Sequence, residues 1–390
     1  MSLSFIDSEL QSIKDAGLYR RLRRVDSDQD ATLTLDGRAV INFSSNNYLG
    51  IANHPALAAA AKAAIDRYGC GAGASRLISG NMALHEELET KLAEFKGTPA
   101  ALVFNSGFQA NTGILSTLAG DGDVIFSDAL NHASIIDGCR LSRAKIVVYR
   151  HCDVDQLEDG LKRAPRSSRK LIVTESLFSM DGDEAPLKQI VELSERYDAM
   201  TMVDEAHATG VYEPDGAGLV SQLRLGERVL VQMGTLGKAL GGFGAYVAGS
   251  VALRELLINR CRSFIFTTSL PPVVMAMGIA ALELIKHEPD RRRVLRDNCA
   301  RVRGGLARLG YSLGDSRSQI LPLMIGDADE CMRLSERLLD RGIFAQGIRP
   351  PTVPPGTSRL RITLMATHTS DQIDRALEAF AAVSLAIKPQ

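Results

Sequence analysis

No stretch of this 390-residue chain is apolar for long enough to span a membrane. The best candidate, "LPPVVMAMGIAALELI" (Leu270–Ile285), is short and interrupted by prolines. Charge of one sign is not in excess either. With 45 basic and 46 acidic residues the net charge is −1, which gives no global attraction to nucleic acid or to an anionic membrane. The six cysteines (Cys70, Cys139, Cys152, Cys261, Cys299, Cys331) form no C-x-x-C pair. That argues against a zinc site or a disulfide framework, so no metal is expected and a reducing, cytoplasmic setting is favoured. The N-terminal "MSLSFIDSEL" lacks a basic start and a long apolar run, so no signal peptide is expected. Internal repeats and low-complexity blocks are missing, as are Gly/Ser linkers.

What is present is the profile of a soluble globular protein, 45% hydrophobic and 23% charged. The chain is too long for one compact core, so two or more lobes are expected. The first ~25 residues read as an amphipathic helix ending in the basic cluster "YRRLRR" (Tyr19–Arg24). "ATLTLDGRAVINF" then reads as a hairpin turning at Asp36-Gly37, so residues 1–48 form an N-terminal arm. Helices are expected in "HPALAAAAKAAIDRYG" and in "MALHEELETKLAEFKG", the second stopping at Gly97. Seven strand candidates follow: "AALVFN", "DVIFSD", "KIVVYR", "KLIVTES", "AMTMVDEA", "RVLVQMG" and "AYVAG". They are rich in Val, Ile and Met without strict polar alternation, the pattern of strands buried on both faces of a mostly parallel sheet. This predicts a large α/β domain over residues 49–286 and a smaller C-terminal α+β domain over residues 287–390.

Two glycine-rich stretches invite a nucleotide reading, and both fail. In "VLVQMGTLGKALGGFGAYVAG" (Val229–Gly249), Lys238 is followed by Ala239 instead of Ser or Thr, and the first P-loop glycine position is Gln232. "GCGAGASRLISG" (Gly69–Gly80) misses G-x-G-x-x-G in either register and follows a predicted helix, so the βαβ context is absent. The remaining chemistry for Lys238 is covalent. A lysine amine attacks an aldehyde when its surroundings favour the neutral form, and pyridoxal phosphate (PLP) is the cofactor that exploits this. Such a site needs a buried carboxylate for the pyridine nitrogen, and Asp204 follows an apolar strand run. It needs backbone N–H groups at a helix start for the phosphate, and Ser106-Gly107-Phe108 lie between a strand and a helical run. His132 in "NHASIIDG" can cover the ring face, and His207 can reach the ring hydroxyl. The glycines beside Lys238 can let backbone approach the cofactor closely. Each residue alone has a plainer reading. Lys238 is then a solvated turn lysine, Asp204 a helix cap and His132 a hydrogen-bonded loop histidine, with His207 and Ser179 as local caps.

The chain resembles the fold-type I, PLP-dependent α-oxoamine synthases over nearly its whole length. The matching motifs are "FSSNNYLG", "GAGASRLISG", "FNSGFQAN", "NHASIIDG", "TESLFSMDGDEAPL", "VDEAHATG", "TLGKALGGFG" and "FTTSLPP". The resemblance implies that Lys238 holds PLP through its amine and then removes a substrate proton. It implies that Asp204 pairs with the pyridinium and that His132 stacks on the ring. His207 and Ser179 are similar to the residues contacting the ring hydroxyl and the reacting carbonyl. Thr235 would bind the phosphate, completed by Thr267 and Thr268 from a partner subunit, so a homodimer with shared active sites is expected. Arg361 matches the family's carboxylate binder, with Asn46, Arg349 and Thr352 assigned to substrate and Arg359 left as a surface charge. Arg20 or Arg21 would meet a distal acyl carboxylate, against the alternative of a solvated basic face. "IRPPTVPPGTSRLRITLMATHT" (Ile348–Thr369) and "GASRLISGN" resemble family members that join L-alanine to a pimeloyl thioester, on coenzyme A or an acyl carrier protein. Sister enzymes using glycine or serine with another acyl-CoA, and a non-catalytic subunit of the same fold, are the alternatives.

Overall fold

A computed structural model describes residues 4–212 and 214–384. The chain divides into two units, one built from residues 4–45 and 296–384 and the other from residues 46–295. Sequence set residues 1–48 apart as an arm; here the described part of that segment up to Ser45 clusters with the C-terminal residues.

In the first unit, the N-terminal helix spans Ser4–Asp15 and does not run on to residue 25. Gly17 adopts φ +66°, and the Leu18 N–H returns to the Ile13 carbonyl at 2.9 Å. That left-handed glycine ends the helix, so the basic cluster "YRRLRR" lies outside it. The hairpin forms where expected: β1 (Thr32–Leu35) and β2 (Arg38–Asn42) pair antiparallel. Asp36 and Gly37 both take positive φ, 48° and 79°, as a two-residue turn of this kind requires.

The second unit carries the large sheet. Its strands are β3 (Ala100–Phe104), β4 (Val124–Asp128), β5 (Lys145–Tyr149), β6 (Lys170–Glu175), β7 (Ala199–Asp204), β8 (Val231–Thr235) and β9 (Ala245–Gly249). The order is β3-β9-β8-β7-β6-β4-β5, with β9 antiparallel to both neighbours and the remaining pairs parallel. All seven strand candidates read from the sequence are therefore strands of one mostly parallel sheet. Parallel neighbours need crossover helices. Ala133–Ser142, Val154–Arg163 and Leu187–Arg196 supply them between successive strands from β4 to β7. One core packs Ile114, Leu115, Ile135, Leu171, Val173 and Val247 together. A second packs Phe126, Leu157, Ile172, Phe178, Ile190 and Val203. Leu171 and Val173 face the first and Ile172 the second, so both faces of β6 are covered, and burying each such side chain contributes about 1.5–3 kcal/mol.

Back in the first unit, β10 (Ile320–Gly326), β12 (Gln346–Ile348) and β13 (Ser358–Thr363) form a sheet of order β10-β13-β12, and β11 (Ile343–Phe344) extends the hairpin beside β2. No helix among the described residues is long and apolar enough to cross a membrane.

Candidate active site

In the second unit Ser106, Gly107, Phe108, His132, Ser179, Asp204, His207, Thr235 and Lys238 lie at or just beyond the carboxyl ends of strands of the large sheet, where open α/β sheets bind ligands. Asp204 closes β7, level with Glu175 at the end of β6 and Met233 on β8. Its Oδ2 accepts from Asn111 Nδ2 at 2.8 Å and its Oδ1 from the Ala206 N–H at 2.8 Å. Asn111 also donates to Ser134 Oγ at 2.9 Å, and Ser134 Oγ lies 2.8 Å from His132 Nδ1. One polar chain thus joins Asp204 to His132. It also caps the helix Ala133–Ser142, since His132 Nδ1 accepts from the Ser134 N–H. His132 as a whole residue is exposed. Partial desolvation lowers the pKa of this ring, with Asp204 pulling it up and Lys238 pushing it down, so the ring is neutral.

A second chain ends at the lysine. Lys238 Nζ lies 2.7 Å from His207 Nε2, and His207 Nδ1 lies 2.6 Å from the Tyr48 hydroxyl. Tyr48 donates its proton to Asn46 Oδ1 at 3.1 Å. The tyrosine oxygen therefore accepts from His207 Nδ1, and the Nε2 lone pair faces the amine. The structure brings together Lys238, His207 and Asn46, and adds Tyr48, which the sequence reading quoted in "FSSNNYLG" without a role.

Ser106 caps the helix Gly107–Leu118 by accepting from the Gln109 N–H. That leaves the Gly107 and Phe108 N–H groups at the open first turn, where an anion is favoured. Phe104 and Thr235 both pair with Ala245, so this turn and Thr235 share one end of the sheet. The Thr235 hydroxyl donates to the Gly244 carbonyl at 2.9 Å and accepts from the Gly237 N–H at 3.2 Å, tying down the turn that presents Lys238. Thr267 Oγ1 and the Thr268 carbonyl both accept from Asn105 of the same chain, at 3.3 and 2.7 Å. At two glycines near Lys238 the demand comes from the protein itself. A Cβ on Gly234 would lie 2.4 Å from the Tyr246 ring, and Gly241 combines φ +62° with backbone of Ala52 at 2.7 Å.

Glu175 was missed from the sequence. It is buried, and its Oε1 accepts the His132 N–H at 2.7 Å while the Ser179 N–H bonds to the same carboxyl group. Burial and the neighbouring Asp204 push its pKa up to about 8, which favours the protonated acid. Only the strand register that sets it beside Asp204 reveals it.

The remaining candidates belong to the first unit. Arg20, Arg21, Arg349 and Thr352 line one cleft of about 750 Å³, with Tyr19, Arg23 and Phe344. Arg20 reaches Thr352 Oγ1 at 3.4 Å, Arg349 donates to the Gly17 and Tyr19 carbonyls, and Arg21 stacks over Tyr19 at 5.8 Å. Arg361 and Arg359 sit on β13, both buried, so Arg359 is no surface charge.

The family model for aminotransferases of class I and II matches residues 38–380. The 8-amino-7-oxononanoate synthase of Geobacter sulfurreducens is 53% identical over 97% of both chains. That of Symbiobacterium thermophilum is 50% identical, also over 97% of both. The chain belongs to the PLP-dependent α-oxoamine synthases. Among solved structures, a Sphingomonas wittichii serine palmitoyltransferase superposes with a TM-score of 0.93 at 36% identity, covering 98% of this chain and 96% of that one. A Francisella tularensis 8-amino-7-oxononanoate synthase gives 0.76 at 30%, covering 89% and 98%. This α-oxoamine synthase is a PLP-dependent enzyme of fold type I.

The residues present fit PLP: an amine beside an imidazole, a buried carboxylate held by two N–H donors, an exposed histidine at a helix cap, and a helix start with N–H groups in its first turn. The state of Glu175 yields a prediction. Glu175→Gln, isosteric with the protonated acid, retains kcat within about threefold, under about 1 kcal/mol of transition-state energy. Glu175→Ala orphans the His132 N–H and loses about tenfold or more, from a cost of about 1–3 kcal/mol. Steady-state rates of both PLP-loaded variants test this; a Gln variant as impaired as the Ala variant would mean that an ionised Glu175 is required.

Proposed function

We propose that this α-oxoamine synthase joins L-alanine to a pimeloyl thioester with release of CO2 and the free thiol, forming 8-amino-7-oxononanoate for biotin synthesis. The observation that carries the assignment is identity of 50–53% to curated 8-amino-7-oxononanoate synthases over nearly the full length. Backbone similarity alone favours a second reading, because serine palmitoyltransferases superpose at 0.93. Acyl and amino-acid choice rests on side chains, where the sequence relationship weighs more than the backbone.

Lys238 would hold the cofactor covalently, Asp204 its ring nitrogen, His132 its face, and His207 and Ser179 its hydroxyl side. The N–H groups of Ser106, Gly107 and Phe108 would take the phosphate with Thr235, and Thr267 and Thr268 would complete the site from the partner subunit of a homodimer. Bound there, PLP supplies an electron sink that lets the α-carbon of an amino acid give up its proton and attack an acyl group. The freed Lys238 amine takes that proton, and the Nε2 lone pair of His207 keeps the amine basic by accepting its surplus hydrogen. Tyr48 holds His207 in the tautomer that does this. By the family resemblance, Arg361 would bind the alanine carboxylate. Arg20 or Arg21, with Arg349 and Thr352, offers the cleft of the first unit to the far carboxylate of the pimeloyl chain.

Turnover of alanine, glycine and serine against pimeloyl-, acetyl-, succinyl- and palmitoyl-CoA tests the assignment. The expected result is a kcat/KM highest for alanine with the pimeloyl donor; a clear preference for serine with palmitoyl-CoA would replace it with the second reading.

A further inference from the structure

Asp128, His151, Cys152 and Asp183 meet between two loops of the site, and the reaction as derived uses none of them. Asp128 closes β4 and shapes the turn that runs to His132: its Oδ1 accepts the Leu130 N–H and its Oδ2 the Cys152 N–H, both at 2.8 Å. Asp183 sits four residues beyond Ser179, and its carbonyl accepts the Phe178 N–H at 3.0 Å, closing the loop that presents Ser179. His151 stands between the two. Its Nδ1 lies 2.9 Å from Asp128 Oδ1 and its Nε2 2.7 Å from Asp183 Oδ2, with Phe178 edge-on at 4.4 Å. An ionised carboxylate only accepts, so both ring nitrogens carry protons and the ring is an imidazolium. Burial disfavours that charge, but the two aspartates outweigh it and raise the pKa to about 12.

The ligand atoms of Asp128, His151 and Cys152 lie within 4.8 Å of one another, a spacing that suits a metal ion. Yet the Cys152 sulfur is 3.8 and 3.7 Å from the two ring nitrogens, nearly equidistant, and both nitrogens are committed to carboxylates. The cluster is an ion-pair clasp.

We propose that His151 is a positioning residue whose imidazolium clasps the Ser179 loop to the His132 loop and so fixes the separation of those two side chains. The proposal rests on the reading that both side chains contact the cofactor and substrate. Glu175 links the same two loops from inside, through the N–H groups of His132 and Ser179. His151 is the outer of two ties, and its side chain is one-quarter exposed.

The test compares native enzyme with His151→Gln, Asp183→Asn and the double variant. In the cofactor-free proteins, hydrogen exchange is followed over residues 129–134 and 176–186. Both segments speed up together in each single variant and no further in the double. In the PLP-loaded proteins, kcat per PLP-bearing site with alanine and pimeloyl-CoA falls roughly 10- to 100-fold in each single variant. The double is no worse than the poorer single, because one clasp is lost either way. A native kcat per loaded site alongside a lowered melting temperature would reduce His151 to a structural role and overturn the proposal, as would additive losses or exchange that changes in one loop only. If His151→Gln fails to fold, the near-isosteric Asp183→Asn carries the test. Should native enzyme not turn over these substrates, the functional reading fails while the exchange data still judge the clasp.

Discussion

Replacing Lys238 with alanine is expected to lower turnover of alanine and pimeloyl-CoA by about 10⁴-fold or more, because in the proposed function one amine is both covalent anchor and proton acceptor. The side chain meets His207 at 2.7 Å and is only partly buried, so its removal leaves the sheet and both cores intact. The variant is expected to fold, to lack the visible absorbance of lysine-bound PLP, and to resist labelling by borohydride. Rates together with borohydride labelling decide the matter; a variant within tenfold of native would end the assignment of Lys238.

The second large effect is on stability. Lys96 and Glu205 form an ion pair with both side chains fully buried. Lys96 also donates to the Ala217 carbonyl, and Glu205 Oε1 accepts the Val220 N–H at 2.9 Å. Burial works against the charge on Lys96, yet Glu205 and Tyr246 hold its pKa above the ordinary lysine value. Removing one partner strands the other charge in the core, which costs about 3–5 kcal/mol. Lys96→Met and Glu205→Gln each therefore lower Tm by roughly 10 °C on the usual scale for a unit of this size. The double variant leaves no stranded charge and is expected to melt above the poorer single. Calorimetry of the three proteins checks this, and single variants that melt within a degree or two of native would contradict it. Glu205 follows Asp204 directly, so this pair also anchors the turn that carries Asp204 and His207.

The sheet was legible because strands covered on both faces must be apolar throughout, and "KLIVTES" and "AYVAG" say so one residue at a time. Lys238 stood out from the sequence once the P-loop motif could not be completed around it. Asn111, Tyr48 and Glu175 did not. Each gains its role from a partner far along the chain, at Asp204, His207 and His132 respectively, and no local spacing encodes such a meeting. Nothing in the sequence around His151 pointed to its partners, two aspartates 55 residues apart, Asp128 and Asp183. The early end of the first helix hung on Gly17, a single left-handed residue that the apolar periodicity around it masked.

Because Asp204, Glu175 and Thr235 terminate strands that share one hydrogen-bonded ladder, their mutual spacing is set by the sheet and not by the loops that follow. Loosening one connection can disturb its own side chain, but the frame on which these anchors are mounted yields only when the ladder itself comes apart. The positions of these three anchors are thus as durable as the backbone that carries them.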